Sequence, residues 1–290
     1  MSQIRKAVIP AAGWGTRFLP ATKALPKEML PLVDKPLIQY IVEEATSSGI
    51  DQIIIVTSSG KGAIEDHFSR SLNLEYTLEQ KGEDGLLGEM RHIAELANIR
   101  FIRQKEQLGL GHAILCAKEI VGDEPFAVFL PDDIFEAEVP VLKQMLEVYQ
   151  RYNGSVIAVW RVTKEDTKRY GIIKPKQIAE RVYQVLDLVE KPEPEDAPSD
   201  LAILGRYILT PEIFETLRVT PPGKGKEIQL TDGLALLLRQ QAIYGYEFEG
   251  TYYDAGKPLG LLKASVALAL RHPQMGADFR EYLKKLITDL

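Results

Sequence analysis

An α/β protein with one central mixed sheet, mostly parallel and flanked by helices, is predicted for this chain by three observations. Short apolar runs alternate with helical periodicity up to about residue 151, a glycine-rich basic loop follows the first run, and further apolar runs then crowd together with few helices between them. Alternation of strand and helix produces parallel pairing covered on both faces, with ligands held at the carboxyl ends of the strands. The crowded runs predict mixed or antiparallel pairing that extends the same sheet.

Taken in order, Ala7-Val8-Ile9-Pro10 is the first strand. Leu37, Ile38, Ile41, Val42 and Ala45 recur at helical spacing, and Gly49 stands where a C-terminal cap belongs. Ile53-Ile54-Ile55-Val56 reads as a buried strand, and residues 63–68 as a helix. Between 69 and 98 lies a polar insertion in which Leu86, Met90, Ile93 and Leu96 predict one amphipathic helix. A strand at 101–103, a helix over 111–119, a strand at 126–130 and a helix over 138–151 follow.

The β-rich part comprises 155–162, 171–174, 182–190, 201–209 and 244–253, with Thr210-Pro211-Glu212 as a helix start and the Pro- and acid-rich stretch 193–200 as a surface loop. Beyond it, Leu261, Leu262, Val266, Ala269 and Leu270, then Phe279, Tyr282, Leu283 and Leu286, recur at helical spacing. That apolar face needs a covering surface, either the subunit's own sheet or a second copy of the chain. The expected organisation is one domain over 1–258, with a helical insertion at 69–98, and a C-terminal helical segment over 259–290.

With 290 residues, 45% of them hydrophobic and 26% charged, the chain has the composition of an ordinary globular protein able to bury a large core. Its one cysteine, Cys116, rules out an intramolecular disulfide and a multi-cysteine metal site. The apolar run nearest to a membrane span, 259–270, is broken by Lys263, and no signal-peptide apolar region precedes Ala7. A reducing, cytoplasmic location is expected, with no membrane partner.

The chemistry is concentrated first in Ala11-Ala12-Gly13-Trp14-Gly15-Thr16-Arg17 and in Lys23 and Lys27. Small residues let the backbone approach a ligand, and exposed N–H groups there suit phosphate oxygens. Neither the P-loop pattern nor the dinucleotide fingerprint is present, since Phe18 stands where the latter needs its third glycine. Read alone, the loop is equally a strand-to-helix turn. Its charge argues otherwise: positions 1–35 carry Arg5, Lys6, Arg17, Lys23, Lys27 and Lys35 against Glu28 and Asp34, in a chain whose net charge is −6. A basic site inside an acidic molecule suits a small anion such as a nucleoside triphosphate, not a nucleic acid.

Leu130-Pro131-Asp132-Asp133 sets carboxylates just past a strand, and Tyr252-Tyr253-Asp254-Ala255-Gly256 repeats the arrangement. Both are also turn chemistry. Opposite a phosphate loop, Asp132 and Asp254 suit Mg²⁺, which takes one or two carboxylates with phosphate oxygens and water. In Glu190-Lys191 the carboxylate suits sugar hydroxyls and the ammonium a phosphate, and the pair reads equally as surface charge. The Gln104 amide can donate to and accept from a base edge at once. His112 and Cys116 read as helix-start and packing residues, and Trp14 and Trp160 most simply as packing residues, with Trp14 in the loop also placed to flank a nucleotide.

AAGWGTRFLPATKALPKEMLPLVDKPLIQY, RQKEQLGLGHAI, LPDD, YGII, EKP, EIQLTD and YDAGKP, in that order, resemble the bacterial UTP:glucose-1-phosphate uridylyltransferases, also called UDP-glucose pyrophosphorylases, over residues 4–258. The resemblance implies a single Rossmann-like nucleotidyltransferase domain, with Ala12, Gly13, Gly15, Gln104 and Gly109 around the uridine and Arg17 and Lys27 on the triphosphate. Asp132 and Asp254 would then hold Mg²⁺, and Gly171, Glu190 and Lys191 the sugar phosphate. The implied substrates are UTP and glucose-1-phosphate, and relatives of this kind are commonly homodimers or homotetramers. The insertion resembles this uridylyl class more than related thymidylyltransferases, which remain the nearest alternative; a silent sugar-nucleotide sensor on the same fold is a further one.

Overall fold

The computed structural model of the chain describes residues 4–288. Its frame is a nine-stranded sheet. The first half reads β1 (Lys6–Pro10), then the short antiparallel pair β2 (Pro31–Leu32) and β3 (Lys35–Pro36), then α1 (Leu37–Ser47), β4 (Gln52–Thr57) and α2 (Gly62–His67). The insertion contributes α3 (Leu72–Lys81) and α4 (Asp84–Glu95), followed by β5 (Asn98–Arg103), α5 (Leu110–Cys116), α6 (Lys118–Val121), β6 (Phe126–Phe129), β7 (Asp133–Glu136) and α7 (Val141–Tyr152). The second half holds β8 (Ser155–Arg161), β9 (Gly171–Ala179), β10 (Val182–Glu190), β11 (Leu201–Leu209), α8 (Ile213–Val219), α9 (Leu230–Leu237), β12 (Ile243–Glu247), β13 (Thr251–Asp254), α10 (Pro258–Ala269) and α11 (Gly276–Thr288).

The sheet order is β5-β4-β1-β6-β11-β8-β12-β10-β9. β5, β4, β1 and β6 pair in parallel, β11 runs against both its neighbours, β8 and β12 are parallel, and β10 runs against β12 and β9. Only β11 and β10 are therefore reversed, as a mixed, mostly parallel sheet requires. Successive side chains of a strand point to opposite faces, so Ala7 and Ile9 join one core with α1 and α7 while Val8 joins the other with α5, α8 and α9. β11, at the centre, is buried at all nine positions. Covering on both faces explains why, Arg206 apart, it reads as an apolar run.

The periodic elements fall where the residues predict them, and the differences have local causes. α1 ends as expected, with Gly49 at φ 93° and Ile50 N–H donating to Ala45 O at 3.1 Å. The 69–98 insertion is two helices instead of one; α4 buries Leu87 and Ile93, whereas Leu86 is 49% exposed. The 111–119 helix is broken at Ala117 into α5 and α6. The helix expected at Thr210 starts at Ile213, because Ile213 and Phe214 N–H first close tight turns onto Thr210 O and Pro211 O. The 244–253 run divides at Gly250, φ 142°, and β13 leaves the main sheet to pair with β7.

α10 packs Ala264 and Ala269 inward, with Leu261 and Leu268 against the core, while Leu259 and Leu262 are exposed. α11 buries only Gly276 among its described residues and exposes Tyr282, Leu286 and Ile287. The insertion, by contrast, is tied by charge: Glu75, 5% exposed, accepts from Arg70 Nε at 2.8 Å and from Arg91 Nε at 3.0 Å. The hydrogen bonds from Arg70, then Arg91, hold its carboxyl down at about 2.

A carboxyl depressed in the folded state stabilises the fold above its unfolded value, about 4.3, and that contribution is lost as pH falls through the folded value. Glu75→Gln is therefore expected to be less stable than the parent at neutral pH, with the gap closing as pH falls from about 4 toward about 2. Urea titrations across that range check it; a gap that does not change with pH refutes the assignment.

Candidate active site

The parallel strands β5, β4, β1 and β6 end at one edge of the sheet, so the segments that follow them converge there. Ala11 N–H donates to Val56 O at 2.8 Å and carries the glycine-rich loop over the end of β4. Ala11 and Ala12 are buried, whereas Gly13 and Trp14 are exposed, Trp14 by 72%. Among the described residues the N–H groups of Gly13, Trp14 and Gly15 make no hydrogen bond and are left for an anion. Gly15 sits at φ 66°, where a Cβ would also stand 3.0 Å from Lys27 Cβ, so the loop needs glycine there. Thr22 Oγ1 donates to Gly15 O at 2.8 Å, folding the following segment back on the loop.

That folding delivers Lys27 to Asp132. Its Nζ lies 2.7 Å from Asp132 Oδ2. Burial would raise the Asp132 carboxyl, but the Lys27 ammonium, with Arg17 adding to it, holds it below the ordinary carboxylate range. Burial likewise opposes charge on Lys27, and Asp132 and Glu28 outweigh it, so the ammonium is held above its ordinary value. Behind this pair, Glu28, 1% exposed, takes Lys61 Nζ at 2.7 Å. Arg17 itself is exposed and makes no ion pair among the described residues.

Asp254 is brought to Asp132 by the small β7–β13 sheet, in which Asp254 is registered against Asp133. Ala255 N–H donates to Asp132 O at 2.8 Å, locking the two turns together. A Cβ on Gly256 would lie 2.7 Å from Asp132 Oδ2 and 3.2 Å from Asp254 Oδ1, so both carboxylates flank the space that this glycine leaves open. Asp254 Oδ2 meanwhile accepts from Arg169 Nη2 at 2.9 Å and pairs with Lys257 Nζ at 3.1 Å. Asp133 is turned away from that space, its Oδ1 accepting from Tyr252 at 2.7 Å and its Oδ2 from Gly205 N–H at 2.8 Å. Burial, then the neighbouring Asp132, pushes its carboxyl up.

Arg169-Tyr170-Gly171 links this carboxylate pair to the third cluster. Gly171 is registered against Glu190, and Lys191 N–H donates to Tyr170 O at 3.0 Å. Lys191 Nζ lies 2.7 Å from Glu190 Oε1, and Thr231 Oγ1 donates to Glu190 Oε2 at 2.7 Å. Thr231 belongs to the EIQLTD motif, whose residues carry no chemistry readable from type and spacing, and Arg169 precedes YGII without any motif of its own; both connections exist only in the fold.

On the opposite flank, Gln104 is 4% exposed at the end of β5. Its Nε2 donates to Gly109 O at 3.3 Å and lies 2.8 Å from His112 Nδ1. In this arrangement the amide nitrogen faces inward, toward Gly109 and His112, and Oε1 is the end without a hydrogen-bond partner among the described residues. Gly109, at φ 100°, has no room for a Cβ, which would fall 2.6 Å from Glu227 Cβ. Gln107, which sequence reasoning passed over, joins the two flanks by donating from Nε2 to Ala12 O at 3.1 Å.

Residues 6–270 match the nucleotidyl transferase family. The chain is 54% identical over 285 residues to a protein of Bacillus subtilis named UTP–glucose-1-phosphate uridylyltransferase, covering 98% of this chain and 96% of that one. It is 53% identical over 286 residues to a protein of the same name from Staphylococcus epidermidis, covering 99% of each. Among solved structures, UTP-bound UGPase from Acinetobacter baumannii superposes with a TM-score of 0.92 at 42% identity, covering 98% of this chain and 100% of that one. A UDP-glucose pyrophosphorylase complexed with UDP-glucose superposes with a TM-score of 0.85 at 47% identity, covering 93% and 100%.

The Asp132 turn depends on Arg206, a fully buried side chain of β11. Its guanidinium pairs with Glu44 at 2.6 Å and donates to the carbonyls of Leu130 at 3.2 Å, Gly205 at 2.8 Å and Asp133 at 3.0 Å. Arg206→Met strands Glu44 and is expected to cost about 3–5 kcal/mol in chemical denaturation. Adding Glu44→Leu should recover much of that loss; a single variant as stable as the parent refutes the role.

Proposed function

The chain belongs to the nucleotidyl transferase family, and from that premise we propose that it transfers the uridylyl group of UTP to glucose-1-phosphate, giving UDP-glucose and pyrophosphate. The observation that carries this reading is the meeting of a basic glycine-rich loop, the Asp132–Asp254 pair and the Glu190–Lys191 pair along one edge of the sheet. Names of relatives with more than half their residues identical over nearly the whole chain support the choice of substrates.

In this reading Ala12, Gly13, Gly15, Gln104 and Gly109 surround the uridine, and Arg17 and Lys27 meet the triphosphate. Gly171, Glu190 and Lys191 take the sugar phosphate. An oxygen of the glucose-1-phosphate phosphate group attacks the α-phosphorus of UTP; the bond to the bridging oxygen of the β-phosphate breaks, and pyrophosphate carries that electron pair away. The nucleophile is already an anion, so no covalent intermediate on a Ser or Cys is required, and the protein contributes alignment and charge neutralisation. Lys27 is held by Asp132 at 2.7 Å, and a triphosphate in the loop competes for the same ammonium. Arg169, already on Asp254 and next to the backbone that fixes Lys191, keeps the two phosphate-binding clusters in a set relation.

The residues fit Mg²⁺. Asp132 and Asp254 oxygens flank the open space at Gly256, and among the described residues no group of three or more His, Cys, Asp or Glu forms an all-protein cage. Two carboxylates completed by phosphate oxygens and water are what Mg²⁺ favours. When bound there it would neutralise charge developing on the phosphates.

A homodimer or homotetramer is part of the proposal, on the exposed apolar residues of α10 and α11. So is a cytoplasmic location; among the described residues no helix is long and apolar enough to cross a membrane.

Incubation with Mg²⁺, each nucleoside triphosphate and each hexose-1-phosphate, read as pyrophosphate release, tests the function. UTP with glucose-1-phosphate is expected to exceed ATP or GTP by about a hundredfold or more, since a pocket built on buried hydrogen-bonding groups rejects what leaves them unpaired. Equal release from ATP and UTP defeats the reading. For the metal pair, Asp132→Asn and Asp254→Asn should each lower kcat/KM by about a hundredfold, raise the Mg²⁺ requirement and leave the fold intact. Together they should cost less than the product of the two. An Asp254→Asn enzyme with normal turnover at low Mg²⁺ returns that residue to a turn.

A further inference from the structure

We propose that Lys61 is a positioning residue for the nucleotide: by occupying the buried Glu28 carboxylate it leaves the neighbouring Lys27 on Asp132, where a triphosphate can take it up. The inference rests on the proposed role of Lys27 and deepens it, and it gives Lys61 no contact with substrate.

Lys27 and Glu28 are neighbours on one tight turn, Lys27–Met29, closed by Met29 N–H on Pro26 O at 2.9 Å and by Leu30 N–H on Lys27 O at 3.1 Å. With three residues per turn, successive side chains leave it about 120° apart. Lys27 therefore reaches Asp132 Oδ2 at 2.7 Å while Glu28 runs inward and is 1% exposed. Lys61 comes to Glu28 from the loop after β4: Gly60, at φ 83°, turns the chain into α2, whose Ile64 is fully buried, and Lys61 Nζ lies 2.7 Å from Glu28 Oε2. Lys61 is itself buried, and removing one partner of so enclosed a pair leaves a bare charge.

Glu28 Oε1 is buried with no hydrogen-bond partner among the described residues, so this carboxylate has an acceptor to spare. Burial lowers the Lys61 amine, Glu28 opposes that and Lys27 adds to it, so the two ammonium groups and the carboxylate lie close enough to act on one another. Lys61 holds the first claim on Glu28 through its direct hydrogen bond. Without the Lys61 charge, a bare carboxylate stands one residue from a cation on a flexible four-carbon stem. Of the two carboxylates then competing for Lys27, Asp132 has 24% of its side chain exposed and Glu28 1%, so Asp132 is the better solvated and gives the ammonium up. Lys27 turns inward to Glu28, and the triphosphate loses its cation.

The test reads KM for UTP and KM for glucose-1-phosphate separately in the parent enzyme, in Lys61→Gln and in the double variant Glu28→Gln/Lys61→Gln. Lys61→Gln can still donate to Glu28 but no longer neutralises it. It is expected to raise KM for UTP by roughly ten- to a hundredfold, the worth of one hydrogen bond to a charged group, with KM for glucose-1-phosphate unmoved. Adding Glu28→Gln removes the charge that draws Lys27 away and should return KM for UTP close to the parent value. A pair that serves packing alone changes stability and moves neither KM; that result in Lys61→Gln overturns the proposal, as does a double variant in which KM for UTP stays raised. If Lys61→Gln does not fold, the double variant must recover both the fold and KM for UTP, since the damage lies in the bare carboxylate, and a double variant that also fails to fold overturns the proposal. A parent enzyme that releases no pyrophosphate from UTP defeats the uridylyl reading instead. Calorimetric binding of inorganic triphosphate to the parent and to Lys61→Gln then decides the role of Lys61: weaker binding by the variant supports it and equal affinities overturn it.

Discussion

A single buried guanidinium constrains the catalytic edge. Arg206 stands in a strand with no exposed residue, the least favourable setting for a charge, and it is tolerated because every side of it is answered. Glu44 neutralises it, the carbonyls of Leu130, Gly205 and Asp133 take its hydrogens, and the rings of Phe129 and Phe135 lie 4.8 and 4.5 Å from it. The carbonyls of Leu130 and Asp133 bracket Asp132. The carboxylate therefore inherits its place from a residue far along the chain, and Asp254 inherits its own from the β7–β13 pairing that starts at the same turn.

Charge is then laid out in alternation: Lys61 on Glu28, Lys27 on Asp132, and Arg169 and Lys257 on Asp254. At Lys27, Arg169 and Lys257 an anionic ligand meets cations that already have carboxylate partners, so binding there exchanges one ion pair for another instead of burying a bare charge; among the described residues Arg17 alone of the proposed triphosphate contacts has no such partner. Glu28 Oε1 is one of three side-chain acceptors, with Asp51 Oδ1 and Gln107 Oε1, that are buried and unpartnered among the described residues. Its cost is borne directly behind Lys27, where the extra negative charge helps hold that ammonium protonated.

Local pattern made much of this legible. β1, β4 and β11 lie where apolar runs place them, since a strand buried on both faces needs a largely apolar sequence. In the 69–98 insertion, where the pattern predicts one helix with Leu86 on its apolar face, packing decided otherwise: Leu87 turned inward and Leu86 outward. β7 escaped notice because four residues beginning with an aspartate carry too little period to see.

The site divides the same way. Residue type and spacing by themselves determined the α/β frame, the basic glycine-rich loop and the carboxylates at strand ends, because each is a property of contiguous residues. Only the tertiary structure decided which of these groups touch: that Lys27 holds Asp132, that Arg169 reaches Asp254, that Thr231 orients Glu190, and that Gln104 turns its amide nitrogen toward Gly109 and His112. Most of these partners lie scores of residues apart in the chain, and even Gln104 and His112 stand on different elements. Sequence spacing carries no information about hydrogen-bond direction; that is settled when the strands pair and the loops close over their ends.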